Sequence, residues 1–343
     1  MSRRLTRRVR EYMDEHNVSY QVAWNALHPE TPAAPVVRED FPEIAYSPMW
    51  TVRNTESGAI DGYRDFRLSY GVGADCKAVV SDKLIYDANT LLVGGLGCSM
   101  DMMLKTAIDQ FTAAGFQTHV IDPIGLFNMN YSVSDMPNVV RYSTGKDVVN
   151  HIAFLDGVMD QRLDFKGKWR KNELERTREE SLRGCPIPPM AVVITDSRAL
   201  MSMSEVSKTE YVQAVNILRR FFTVVGREVN AHMFVASNDM YESSVPHWMR
   251  DGVHTFVLTG SISAMTLRKL PHSVSVAVAE EQRTTKGRGM VLRGCEYGSE
   301  VCEKFQAWCL PYDHPKEESA EFNQHREKYR KFLASIPSLY SKG

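Results

Sequence analysis

Five short apolar runs, each closed by a turn or polar residue, constrain this chain more than any other feature. They are Thr90–Val93, Thr118–Ile121, Met190–Thr195, His232–Ala236 and His254–Leu258. Stretches of helical period lie between them. Residues 99–114 form one, closed by Gly115; residues 145–164 form another; residues 205–225 form a third, closed near Gly226. Residues 165–184, rich in Lys, Arg and Glu, read as a solvated helix or loop. Strands that alternate with helices need crossover connections, and these bring successive strands into one sheet in the same direction. The pattern predicts an α/β fold with a mostly parallel sheet and helices on both faces.

Length and composition agree with a folded protein and exclude several classes. The chain has 343 residues, of which 43% are hydrophobic and 24% charged. At about 100–200 residues per domain, that is one large domain or two ordinary ones. It is not a disordered, collagen-like or coiled-coil composition. The net charge is −1, so this is no chain that coats nucleic acid over its whole surface, though local basic patches remain. No run of about 18 uncharged apolar residues predicts a membrane span. The basic start, MSRRLTRRVREYMDEH, leads into no apolar run and is not read as a secretory signal. Six cysteines are too sparse for a disulfide scaffold and suit a reducing compartment, so a cytoplasmic location is expected. Cys295, Cys302 and Cys309 recur at a spacing foreign to zinc ligands, and no zinc is expected.

Four regions follow from the composition. Residues 1–30 form a small basic helical element. Its cluster of Arg3, Arg4, Arg7 and Arg8 suits either a packed surface helix or contact with DNA phosphates. Residues 31–50, with several prolines, form a linker. Residues 51–312 form the α/β body, and residues 313–343 a charged C-terminal helix and tail.

In an open α/β sheet, ligands bind at the carboxyl ends of the strands. The first of these reads Leu91-Leu92-Val93-Gly94-Gly95-Leu96-Gly97-Cys98-Ser99 and runs into a helix. A glycine-rich turn there presents backbone N–H groups at the positive end of a helix, which suits a phosphate. Gly94, Gly95, Gly97, Cys98, Ser99 and Asp101 are therefore the candidate nucleotide-binding residues. A later strand ends at Asp196-Ser197, where an aspartate is suited to hold Mg²⁺. Another ends at Asn238, placed to sense a γ-phosphate.

The order of these segments resembles the FtsK/HerA/TraB-like DNA translocases, RecA-like P-loop motors of chromosome segregation and conjugation. The resemblance covers roughly residues 75–310. NTLLVGG stands where that family has the strand leading to its Walker A loop, and HVIDPIGLF resembles its IDPK strand end. MPNVV with DVVNHIAFLDGVMDQRLDFK resembles the next turn and long helix. AVVITDSRALM is similar to the Walker B strand, GREVNAHMFVASN to GRAAGIHLVLATQ, and KGRGMVLRG to a GRGxxL segment. The resemblance implies a RecA-like P-loop NTPase fold, ATP and Mg²⁺ as cofactors, DNA as partner, and assembly into homo- or hetero-oligomers, often rings. It also implies provenance in a phage, plasmid or conjugative element.

The departures from that pattern lie where phosphoryl transfer is carried out. On GxxxxGK[ST], Met100 replaces the second glycine, Asp101 the lysine and Met102 the hydroxyl residue. The lysine reaches the β/γ-phosphates, and the hydroxyl binds Mg²⁺. A carboxylate in place of the lysine repels the nucleotide by roughly 4 kcal/mol per charge at 4 Å and an effective dielectric of 20. Lys105-Thr106 repeats a KT pair, but about 5–6 Å further along the helix axis. Asp196 keeps the Walker B aspartate, and Ser197 replaces the glutamate. Hydrolysis is expected to be weak or absent, and the protein to bind DNA or assemble with partner subunits. One alternative is an atypical active DNA-dependent ATPase that recruits Lys105. Another is a ThiF-like or Rossmann adenylate- or dinucleotide-binding enzyme. For that reading LLVGGLGC is the nucleotide turn and Asp122 the acid on the ribose, but Met100 occupies its third glycine position and no CxxC pair is present.

Overall fold

The computed structural model describes residues 41–86, 89–94, 100–127, 133–172, 185–204, 206–222, 226–260, 262–270, 287–293, 301–311 and 319–342. The arginine cluster Arg3, Arg4, Arg7 and Arg8 and the turn residues Gly95, Gly97, Cys98 and Ser99 lie outside them. From Phe41 onward the chain forms one compact unit. Part of the proline-rich stretch therefore belongs to this unit, and Ala45–Tyr46 (β1) pairs with a strand near the end of the chain.

The remaining strands are Ser69–Val72 (β2), Ala78–Val80 (β3), Asn89–Gly94 (β4), Gln117–Asp122 (β5), Val139–Thr144 (β6) and Met190–Ile194 (β7). Ala231–Ser237 (β8), Thr255–Thr259 (β9), Arg288–Arg293 (β10) and Val301–Cys309 (β11) complete the set. They form one sheet in the order β3-β2-β11-β10-β9-β4-β8-β7-β5-β6, with β1 beside β11. From β9 to β6 every pairing is parallel, and from β9 to β3 every pairing is antiparallel. The five apolar runs are β4, β5, β7, β8 and β9, the central part of the parallel half.

The main helices are Glu56–Tyr63 (α1), Met100–Ala113 (α2), Asp147–Lys171 (α3), Ser197–Met201 (α4), Lys208–Arg220 (α5), His247–Asp251 (α6) and Ala320–Ser335 (α7). Side chains alternate between the two faces of a strand, so each apolar run feeds two cores. Leu91, Val93, Val192, Ile194, Met233 and Val235 face α3 and α5. Leu92, Ala191, Val193, Phe234 and Ala236 face α2. Helix α3 runs to Lys171, so the charged stretch after residue 164 begins as a continuation of the helix. Arg162 on α3 is buried and donates to the carbonyls of Pro188 and Val229 and to Gln117, joining the helix to the loops beneath the sheet. Helix α2 ends where Gly115 takes a positive φ of 75°. A β-carbon there would meet Ala59 at 2.8 Å, so both conformation and space require glycine.

Helix α7 belongs to the same body. Its Tyr329 and Phe332, with Ile336 just beyond, pack on Ala113 and Leu310 on the outer side of α2. As a result every residue of α2 from Met103 to Ala113 is buried.

Candidate functional site

The carboxyl ends of β9, β4, β8 and β7 lie side by side, in that order. Gly94 ends β4 opposite Thr259 of β9, and Val93 lies opposite Ser237 of β8. Strand β4 ends at Gly94, and α2 begins at Met100. Gly94, Asp196, Ser197 and Asn238 thus come to one edge of the sheet, as expected from the sequence.

Asp101 is exposed in the first turn of α2. A carboxylate there is favoured by the partial positive charge of the helix start. It thereby occupies the electrostatic niche that a phosphate would use. Met102 packs against the cluster formed with α7.

Lys105 does not stand in for the absent lysine. It is buried, and its Nζ donates to Asp109 one turn further along α2. Tyr329 of α7 donates its hydroxyl to the other oxygen of Asp109, and Lys105 Nζ lies 3.3 Å from that hydroxyl. Burial pushes the Asp109 carboxyl up, and the Lys105 ammonium and the Tyr329 hydroxyl pull it back. The lysine is therefore committed to a buried cluster between two helices, which removes the reading that it reaches the phosphates.

Asp122 is also committed. Its Oδ1 accepts from Leu126 N at 2.9 Å and Thr195 Oγ1 at 2.7 Å; its Oδ2 accepts from Phe127 N at 3.0 Å and Tyr142 OH at 2.7 Å. The side chain is fully buried. Both oxygens are in use, so the carboxylate ties the turn after β5 to β6 and β7 and offers nothing to a ribose. The ThiF-like and Rossmann reading loses the residue it relied on.

Asp196 caps α4, accepting from Ala199 N at 2.9 Å through Oδ1. Its Oδ2 makes no hydrogen bond among the described residues. Ser197 is fully buried, and its Oγ has no hydrogen-bond partner. The serine is the first residue of α4, directly after Asp196. Asn238 is exposed just beyond β8.

Asp239, Arg198 and Thr259 at this edge were not singled out from the sequence. Asp239 accepts from Tyr241 N at 2.9 Å and lies 3.7 Å from Arg198 of α4. Thr259 Oγ1 is buried without a partner at the end of β9. A polar residue at the end of an apolar run was the available signal for Thr259, as it was for Asp196. The described residues do not fit a Mg·ATP complex well. Among the described residues, the one lysine of α2 is paired with Asp109, the Thr106 hydroxyl is buried without a hydrogen bond, and Asp196 is the carboxylate expected from the sequence to face a metal.

No family model and no curated protein matches the sequence. Solved structures do match in fold. The pCW3 conjugation coupling protein TcpA, in its monomer form with ATPγS, superposes with a TM-score of 0.60 at 13% identity, over 84% of this chain and 75% of that one. The cytoplasmic domain of the type VII secretion ATPase EccC of Thermomonospora curvata gives 0.58 at 14% identity, over 88% of this chain and 34% of that one. EssC (ATPases 2 and 3) of Geobacillus thermodenitrificans gives 0.58 at 13% identity, over 88% and 54%. The chain thus spans about a third of the EccC structure and about half of the EssC structure. At these identities the likeness establishes the fold.

Proposed function

We propose that this chain, which has the RecA-like P-loop NTPase fold of the FtsK/HerA-like ATPases, is a DNA-binding member of that group with an inactive nucleotide site. It works in the cytoplasm as part of an oligomer with copies of itself or with active subunits, in a phage, plasmid or conjugative system. It serves as scaffold, clamp or regulator and not as the engine.

The observation that carries this reading is the fate of the lysine on α2. Phosphoryl transfer depends on positioned positive charge. Here the lysine position holds Asp101, and the next lysine is buried against Asp109 and Tyr329. Ser197 in place of the glutamate supports the same conclusion. ATP and Mg²⁺ are accordingly expected to bind weakly or not at all, with Asp196 as the sole candidate metal ligand. Gly94, Gly95, Gly97, Cys98, Ser99 and Asn238 remain the residues assigned to whatever nucleotide contact persists without turnover. No described helix is long and apolar enough to cross a membrane, and the proposal involves none.

DNA contact is assigned to Arg3, Arg4, Arg7 and Arg8. Fluorescence anisotropy with a labelled duplex tests it. Binding should weaken steeply with salt, and the variant with all four arginines changed to alanine should lose about three to four from the slope of log affinity against log salt. Absence of binding at low salt, or a slope unchanged in the variant, overturns the assignment.

A further inference from the structure

Far from the strand ends, a cleft of about 270 Å³ opens between the segment Trp50–Arg53, the end of α1 and the last turns of α2. Trp50, Phe66, Ala114 and Phe116 supply apolar wall. The polar groups around it are nearly all accounted for. Gln110 accepts from Ser69 N at 2.7 Å and donates to the carbonyls of Ser69 and Thr106. The Tyr63 hydroxyl is bonded to His232 at 2.7 Å. Asp65 is paired with Lys83, which holds its carboxyl below the usual carboxylate range. Arg67 donates through one nitrogen to the carbonyl of Ser81 at 3.1 Å.

Arg53 is the exception. It is half-buried, and its guanidinium lies across Gly62: a β-carbon built on Gly62 would sit 2.7 Å from Nε and 2.8 Å from Cζ. Among the described residues the guanidinium makes no hydrogen bond, ion pair or ring contact. The indole nitrogen of Trp50 is buried without an acceptor as well. The cleft therefore has donors to spare, one of them cationic, while its exposed acceptors are Thr51 and the Asp65 carboxylate that faces Lys83. A half-buried guanidinium with no protein partner keeps its five N–H donors available to water or to a ligand.

We propose that this cleft binds an organic carboxylate carried on an apolar body, with Arg53 as the group that recognises the carboxylate. A guanidinium is a planar fork that meets a carboxylate through two parallel hydrogen bonds. Gly62 is the residue that leaves the fork its place, and the aromatic walls take the apolar body. The volume suits a ligand of the size of a phenylalkanoate. The same chemistry is presented by a free small acid and by the C-terminal residue of a peptide that ends in an aromatic side chain.

Calorimetric titration of the whole chain tests this. The probes are 3-phenylpropionate, 3-phenylpropionamide, and a short peptide ending in phenylalanine with either a free or an amidated terminus. The carboxylates should bind saturably and the amides at least about tenfold more weakly, as expected for loss of a charge-assisted hydrogen bond. Arg53→Gln should weaken carboxylate binding by a similar factor and leave thermal unfolding unchanged, because the guanidinium bonds nothing in the fold. Gly62→Ala, which displaces the guanidinium, should also weaken it. Tighter binding of the free-terminus peptide than of phenylpropionate identifies a chain end as ligand; the reverse identifies a small acid. No saturable binding, equal binding of acids and amides, or binding unaffected by Arg53→Gln overturns the proposal. None of these results depends on nucleotide or DNA binding.

Discussion

Changing Lys105 to methionine is expected to lower the unfolding free energy by about 3–5 kcal/mol, the usual cost of removing one partner from a buried ion pair. The variant keeps the length of the side chain and removes its charge, so Asp109 is left buried with only the Tyr329 hydroxyl. Denaturation in urea gives the measurement. The companion variant, Lys105→Met with Asp109→Leu, removes both charges and should recover most of the loss, because an apolar pair of similar volume has no desolvation to offset. The paired result separates a committed ion cluster from a lysine held ready for another task. If Lys105→Met is stable to within a few tenths of a kcal/mol, the lysine is not bound as described, and a role at the phosphates becomes tenable again.

Acid should destabilise the protein early, well above the usual carboxylate range. His119 Nδ1 lies 3.0 Å from His151 Nε2, and His151 Nδ1 lies 2.8 Å from Ser143 Oγ, all buried between β5, β6 and α3. Burial, with Arg162 and Arg141 nearby, holds His119 down to about 3. Burial, with His119 and Arg141, holds His151 down to about 2. Both are neutral in the folded protein, whereas both take up protons near pH 6.5 when unfolded. Stability from these residues is therefore complete above pH 6.5 and is lost as pH falls below it. Two protons correspond to a slope approaching about 2.7 kcal/mol per pH unit, or about 5 kcal/mol between pH 7.5 and 4.5. Urea midpoints measured from pH 7.5 to 5 check this, above the range where Asp65, Asp75, Glu210 and Glu242 begin to contribute. The double variant His119→Gln, His151→Gln should lose the slope whatever its absolute stability. A wild-type curve flat from pH 7 to 5 contradicts the buried neutral pair.

The parallel half of the sheet was legible because β4, β7, β8 and β9 are buried on both faces. Such strands must be apolar throughout, and each is bounded by a glycine or a polar residue. The other half was not. Strands β2 and β3 are only four and three residues long, β10 is a short apolar run between arginines, and β11 carries Glu303 and Lys304 on its partly exposed portion. Strand β6 is only partly buried at the sheet edge, and its segment reads as a turn after Pro137. At the site, the identities of Asp101, Asp196 and Ser197 could be read directly. The commitments of Lys105 and Asp122 could not. Lys105 and Asp109 share a helix at a pairing distance, but Tyr329, which closes their cluster, comes 220 residues later. Asp122 looks like any strand-end acid until Thr195 and Tyr142 are brought beside it.

ATP turnover by the purified full chain, with Mg²⁺ and with or without duplex DNA, tests the central claim most directly. Hydrolysis indistinguishable from the buffer blank in both conditions is the expected result. DNA-stimulated turnover that Asp196→Ala abolishes would contradict it, and would mean that the phosphates are held by charge other than Lys105.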